Sequence, residues 1–90
     1  MMSSVEDYVA RIEESCGDEK SFIVTFKFEK KAEVVAKILK NAKVERSISN
    51  IIYELSFKGV TFRLYATGKA IFRGLKEEGN VRALLIDLLS

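Results

Sequence analysis

The chain has 90 residues, of which 48% are hydrophobic and 31% charged, with a net charge of +2 and no histidine. This length supports one hydrophobic core, so residues 1–90 are interpreted as a single domain of globular rather than disordered type. The longest apolar run, Ala83-Leu84-Leu85-Ile86, is too short to cross a membrane, and the acidic start of the chain is unlike a signal or transit peptide. We therefore predict no membrane contact and a cytoplasmic location.

Charge is distributed unevenly along the chain. Residues 1–19 contain six acidic residues and one arginine, whereas residues 20–43 contain seven lysines and two glutamates. Two interpretations remain open: the two segments neutralise each other in the fold, or the basic segment attracts phosphates.

The first predicted element is an acidic helix within residues 1–17, which precedes the main fold. Ser4 is a suitable N-cap and Gly17 a suitable stop. Apolar residues recur between them at helical spacing, namely Val5, Tyr8, Val9, Ile12 and Cys16.

A strand and a second helix are predicted next. Residues 21–28 alternate, and one face of this strand carries Phe22, Val24, Phe26 and Phe28. Residues 30–42 are predicted to be helical, with an apolar stripe made of Ala32, Val35, Ala36, Leu39 and Ala42.

Four further strands and a last helix complete the prediction. Residues 43–49, 51–57, 60–66 and 70–73 have strand character, with tight turns at Lys58-Gly59 and Thr67-Gly68-Lys69. Residues 77–89 are predicted to be helical, and Ile86 and Leu89 widen the apolar stripe of this helix beyond what a small monomer covers. The fold class is therefore α+β, with one antiparallel sheet of about five strands, helices on one face, and the order α-β-α-β-β-β-β-α.

Residue types needed for catalysis are scarce. Without histidine the usual general base is missing, and Cys16 lies on an apolar stripe with no base to activate it. The turn at Gly68-Lys69 lacks the earlier glycine of a phosphate-binding loop, where Arg63 stands instead. No spacing fits a zinc or calcium site. We predict a protein that is not an enzyme and has neither cofactor nor metal.

The face of the sheet opposite the aromatic residues is predicted to stay in water. Its cations include Lys27, Arg63, Lys69 and Arg73, which could contact phosphates, while Tyr65 offers a ring for stacking. The alternative is that these residues are only soluble strand formers, as on any wet antiparallel face. Composition alone favours the second interpretation.

The segment from Val60 to Arg82 resembles one repeat of the TATA-binding protein family. The resemblance rests on a strand that ends in aromatic Tyr65, the Thr67-Gly68-Lys69 turn, a strand closed by Gly74, and the acidic start of a helix at Lys76-Glu77-Glu78. The order of elements upstream is similar to the same half-saddle fold, so the resemblance covers residues 21–89 at the level of the fold. Single half-saddles also resemble attachment domains of one class of bacterial ribonuclease H and of some DNA glycosylases.

The resemblance implies a nucleic-acid interface on the open side of the sheet. It places Tyr65 where the family has a wedging phenylalanine, and Thr67, Lys69, Ile71 and Arg73 on the concave side. The chain departs from the family in three ways: Glu54 stands where a basic residue is usual, the partner wedge position near Ile48 has no ring, and there is one repeat instead of two. With the cations above, the candidate nucleic-acid-binding residues are Lys27, Arg63, Tyr65, Thr67, Lys69, Ile71 and Arg73.

Three functional hypotheses follow. The first is a non-enzymatic module that presents its open sheet face to DNA or RNA, as a homodimer in contact through the stripe of Ile86 and Leu89. The second is a protein-interaction or oligomerisation adaptor without nucleic acid. The third, an enzyme whose site forms across a dimer interface, has the least support. A further expectation is that the acidic helix of residues 1–17 lies over the basic face and masks it.

Overall fold

The computed structural model describes residues 5–15 and 20–89, which form one antiparallel sheet of six strands with helices on one side. Spatially the strands run β1-β2-β6-β5-β4-β3, and every neighbouring pair is antiparallel. The strand bounds are Val9–Ser15 (β1), Ser21–Phe26 (β2), Lys43–Ser49 (β3), Ile52–Phe57 (β4), Val60–Tyr65 (β5) and Lys69–Arg73 (β6). The helices are Val5–Tyr8 (α1), Lys31–Asn41 (α2) and Glu78–Leu88 (α3), with a 3-10 turn at Phe28–Lys30. The predicted α+β class and antiparallel sheet are confirmed, whereas the predicted strand count of about five is too low by one.

The predicted first helix is wrong for most of its length. Helical structure is limited to the single turn α1, and Val9–Ser15 forms an edge strand paired with β2. The pairing shifts by one residue between Val9 and Arg11, so a bulge at Ala10 lets Val9 and Ile12 both pack against the core. Two core residues three positions apart imitate helical spacing, which explains the error. Ser4, Cys16 and Gly17 lie outside the described residues.

Two more predictions are wrong in the segment from β2 to α2. Strand β2 ends at Phe26, and Phe28 enters the 3-10 turn with 79% of its surface exposed instead of joining the core. Helix α2 buries Val34 and Ile38, both fully, which the predicted stripe omitted. The exposed residues of that stripe are Ala32 and Ala36. Helix α2 is rotated so that its larger side chains enter the core, because their burial removes more apolar surface from water.

The four strands that follow α2 form consecutive hairpins, as predicted. Lys58 and Gly59 have φ angles of 52° and 81°, the positive values that a two-residue hairpin turn requires. Gly68 has a φ of 105°, and a Cβ placed there would lie 3.4 Å from the Lys31 Cβ atom. The positive φ therefore requires glycine at position 68, whereas the space beside α2 would accept a Cβ in ordinary van der Waals contact.

The core lies between the sheet and the helices. Buried side chains from the strands and helices form one cluster, in which the rings of Phe62 and Phe72 stack with centroids 4.7 Å apart. Leu89 belongs to this cluster, with only 2% of its surface exposed, so it is not part of an uncovered stripe as predicted. Ile86 does remain 55% exposed. Among residues 5–15 and 20–89, no helix has the length and apolarity needed to span a membrane.

Candidate nucleic-acid interface

The face of the sheet opposite the core is built of rows of residues paired across the strands. We call it the open face. In one row, running from β2 to β4, the residues are Thr25, Lys69, Tyr65 and Ile52. In the next row, running from β2 to β3, they are Ile23, Ile71, Arg63, Glu54 and Arg46. Because side chains alternate along a strand, the core residues Val24, Leu64, Ala70 and Leu55 point the opposite way.

The structure brings five of the seven predicted site residues onto this face. Lys69 and Tyr65 are direct cross-strand partners, as are Ile71 and Arg63. Arg73 lies two residues beyond Ile71 on the same side of β6 and pairs with Ser21. The side chains of directly opposed residues start about 5 Å apart, so this group forms a continuous surface.

The other two predicted residues lie outside the strands. Thr67 is an exposed residue of the turn between β5 and β6. Lys27 directly follows β2, and its backbone N–H donates to the Tyr8 carbonyl at 2.8 Å. Both therefore border the open face at the end where Tyr65 and Lys69 lie.

Glu54 is held between two arginines. The Arg63 Nε and Nη2 atoms both donate to Glu54 Oε2, at 3.1 and 3.0 Å, and the Arg46 Nε atom lies 3.8 Å from Glu54 Oε1. Glu54 is the most buried member of the group, with 25% of its side chain exposed. The carboxylate thus offsets part of the positive charge of this half of the open face, and it occupies the guanidinium edge that would otherwise meet a phosphate.

These contacts also act on the protonation of Arg63. The hydrogen bonds that Arg63 donates to Glu54, and after them a hydrogen bond with Tyr65, raise the pKa of the Arg63 guanidinium above its already high ordinary value. Because the pKa of the folded state is raised, any stabilisation that follows is lost only in strongly alkaline solution. Arg63 therefore stays charged at every pH at which the chain would be studied.

Strand β6 differs, because its cations have no carboxylate partner within residues 5–15 and 20–89. Lys69 and Arg73 are exposed, and in the described part of the chain neither makes an ion pair or a side-chain hydrogen bond. They lie four residues apart on the same side of a strand next to the middle of the sheet, which places them about 13 Å apart. The half-buried side chain of Ile71 lies between them. An anionic polymer that runs along β6 would therefore meet the Lys69 ammonium, the apolar side chain of Ile71 and then the Arg73 guanidinium.

A shallow depression of about 570 Å³ lies at the Arg73 end of the open face. Arg63 and Arg73 line it from neighbouring strands, with Glu54 and the aliphatic side chains of Ile71 and Leu75 completing the wall. Its mixture of guanidinium groups and apolar surface is suited to an anionic group attached to an apolar or aromatic one.

The acidic N-terminal segment does not cover this surface, contrary to expectation, in the part that the structure describes. Val9–Ser15 extends the sheet sideways as an edge strand, and its Arg11 and Glu13 side chains pair with each other at 3.2 Å. Helix α1 places Val5 and Tyr8 in the core. The masking hypothesis for residues 1–17 is therefore wrong for 5–15.

Sequence reasoning missed three features of the site. It did not place Arg11 and Glu13 on the open face, because it predicted a helix there. It did not foresee that Arg46 and Arg63 share Glu54, a contact created by the register of β3, β4 and β5. It also assigned Phe28 to the core. The Glu-Lys-Lys sequence that follows Phe28 was the available signal, since glutamate and lysine are mostly exposed and indicate that the chain has reached the surface there.

Other kinds of site find no support in the described residues. Within 5–15 and 20–89 no group of three or more histidine, cysteine, aspartate or glutamate side chains is placed to hold a metal ion. A comparison with protein-family models found no matching family. Searches of curated proteins and of solved structures likewise found no match. The resemblance to the TATA-binding protein family thus rests on the residues quoted above alone.

Proposed function

We propose that this chain is a non-enzymatic module that binds DNA or RNA on its open face. The observation that carries the proposal is the pair of exposed β6 cations, Lys69 and Arg73, which have no carboxylate partner among the described residues. Tyr65, the cross-strand partner of Lys69, supplies a ring beside them. In this arrangement Lys69 and Arg73 contact phosphates, and Tyr65 stacks on a base or wedges between two bases.

The resemblance to a half-saddle supports the same proposal. From β2 onward the chain runs strand, helix, four strands, helix, the order expected for residues 21–89. A single half provides one half of a saddle-shaped surface, so we propose that two copies associate as a homodimer. Ile86 on α3 is one apolar residue available for that contact, whereas Leu89 is not.

The first experiment is a salt titration of binding to random-sequence oligonucleotides. We expect the double variant Lys69→Ala/Arg73→Ala to lose roughly tenfold in affinity per phosphate contact at about 0.1 M salt. The slope of log K against log salt concentration should become shallower by about two. The measurement is fluorescence anisotropy of labelled oligonucleotide, with analytical ultracentrifugation to give the mass of the protein.

The matched control is Lys40→Ala/Arg82→Ala. It removes the same two charges from exposed positions on α2 and α3, away from the open face. Equal losses in the two double variants would show that only net charge matters, and would contradict a site on β6. Absence of binding by the wild-type chain at low salt would overturn the whole proposal.

A second candidate function is a protein-interaction adaptor that uses the same face. Glu54 favours it, because a carboxylate between two arginines is suited to a partner that carries both signs of charge. The apolar side chains of Ile48 and Ile51, about half exposed near the β3–β4 turn, add contact surface. Stoichiometric capture of a protein partner that Lys69→Ala/Arg73→Ala abolishes, without retardation of any oligonucleotide, would select this function instead.

A further inference from the structure

Phe28 is the most exposed large apolar side chain in the described structure. It retains 79% of its surface, against 45% to 55% for the other exposed large apolar residues. Its backbone is nonetheless held firmly. The Lys27 N–H donates to the Tyr8 carbonyl at 2.8 Å, and the Lys30 N–H donates to the Lys27 carbonyl at 2.9 Å. The ring is therefore presented to solvent by an ordered 3-10 turn.

One lysine contacts this ring, and two more lie near it in the sequence. The Lys31 Nζ atom lies 4.5 Å from the centre of the Phe28 ring, a cation–π contact that holds the ring while most of its surface stays exposed. Lys27 directly precedes Phe28, and Lys30 follows two residues later with its Nζ atom 5.7 Å from the centre of the Tyr8 ring. We call Lys27, Phe28, Lys30 and Lys31 the Phe28 cluster.

The acidic residues nearest in sequence offset only part of this charge. Glu29 is the one acidic residue within the turn, and it is exposed. Glu33, in the first turn of α2, accepts a hydrogen bond from the Tyr8 hydroxyl at 2.9 Å. The Phe28 cluster therefore combines an aromatic surface with an excess of positive charge.

The cluster adjoins the end of the open face where Tyr65 and Lys69 lie. The Phe26 N–H donates to the Gly68 carbonyl at 2.8 Å, and the Gly68 N–H donates to the Tyr65 carbonyl at 2.9 Å. Gly68 also lies beside Lys31, since a Cβ placed at Gly68 would be 3.4 Å from the Lys31 Cβ atom. The turn between β5 and β6 thus joins the Phe28 cluster to the open face.

We infer that the Phe28 cluster extends the nucleic-acid interface and is specific for single strands. In this arrangement a single strand contacts Lys69 and Tyr65, passes over the turn at Gly68, and stacks a base on Phe28 while its phosphates meet Lys27, Lys30 and Lys31. The inference rests on the proposed function and narrows it to one class of ligand.

The chemistry of the cluster selects a single strand over two other ligands. An unpaired base has an accessible ring face for Phe28, whereas the bases of a duplex are stacked on one another. A membrane surface is the other anionic candidate. Insertion into it requires several apolar side chains in one patch, and the cluster contains one.

The test uses tryptophan fluorescence, because the chain contains no tryptophan. In the full-length variant Phe28→Trp we expect emission to be quenched when oligothymidylate is added, and little change with a duplex of the same length. In Phe28→Ala the affinity for oligothymidylate should fall by about five- to 150-fold, the range usual for one stacked base, while duplex affinity stays the same. Phe28→Tyr should bind like the wild type, because it retains a ring.

Val44 provides the matched control. It is an exposed apolar residue on β3, the edge strand at the other side of the sheet from β2 and the Phe28 cluster. The emission of Val44→Trp should not respond to oligothymidylate, and Val44→Ala should bind it like the wild type.

Three outcomes would overturn the inference. One is unchanged oligothymidylate affinity in Phe28→Ala while Lys69→Ala/Arg73→Ala still weakens binding, a result that leaves the proposed function intact. Another is that Phe28→Ala loses binding to phosphatidylserine vesicles and not to oligonucleotides. The third is that Phe28→Ala converts a dimer into a monomer without affecting nucleic acid. If the wild-type chain binds no oligonucleotide at all, the proposed function fails as well.

Discussion

The two halves of the open face carry the same kinds of side chain in different electrostatic states. On β3 to β5, Arg46 and Arg63 converge on Glu54. On β6, Lys69 and Arg73 face solvent without a carboxylate in the described structure. Register makes the difference, because the residue opposite Arg63 on β4 is an acid, whereas the residue opposite Lys69 on β2 is Thr25. A count of basic residues therefore overstates the charge that a ligand would meet.

The largest expected effect is on stability, at the ring contact that joins β5 to β6. Beneath the face, Phe62 of β5 stacks on Phe72 of β6. Phe72→Ala should lower the free energy of unfolding by about 3 to 5 kcal/mol, because it removes a fully buried ring and leaves a cavity. Urea denaturation should show a lower midpoint with an unchanged m-value.

The neighbouring residue Ile71 is the control for this variant. It lies on the open face and is half-buried, so Ile71→Ala should cost only about 1 kcal/mol. An equal loss of unfolding free energy in both variants would contradict the assignment of Phe72 to the core face of β6 and of Ile71 to the open face.

A smaller effect, on nucleic-acid affinity, is expected when the carboxylate that Arg46 and Arg63 share is neutralised, so that this half of the open face resembles β6. Glu54→Gln removes the charge that Arg63 and Arg46 share, so both guanidinium groups become available to phosphates. We expect nucleic-acid affinity to rise, by up to about tenfold at about 0.1 M salt for one added contact. Fluorescence anisotropy across a salt series measures the change.

Glu78→Gln is the matched control, because Glu78 and Arg82 form an exposed pair at the same 3.0 Å distance on α3. That variant should leave affinity unchanged apart from a small shift due to net charge. A fall in affinity for Glu54→Gln would show that the carboxylate positions Arg63 for binding and does not compete with the ligand.

The smallest effect on nucleic-acid affinity is expected from a change of pH. The chain contains no histidine, the side chain that ordinarily titrates near neutrality, and the contact with Glu54 raises the pKa of Arg63, so Arg63 keeps its charge. Affinity should therefore be constant between about pH 5.5 and 7.5 at fixed ionic strength. A tenfold change across this interval would indicate that a titrating carboxylate contributes to binding.

The amino-acid sequence by itself determined most of the layered fold. Alternation along 60–66 and 70–73 assigned Phe62 and Phe72 to one face and Arg63 and Arg73 to the other. The Lys58-Gly59 pair identified its hairpin turn. These features depend on local periodicity and turn chemistry, which nearby residues specify almost completely.

Tertiary structure decided the features that depend on partners distant in sequence. Val9–Ser15 became a strand because the edge of β2 offered hydrogen bonds, and its bulge at Ala10 concealed the alternation. Glu54 met Arg46 and Arg63 because three strands align there. Phe28 lies outside the core because β2 ends at Phe26, and the Phe26 N–H donates to the Gly68 carbonyl. In each case long-range backbone pairing selected which side chains meet, and no local pattern contains that information.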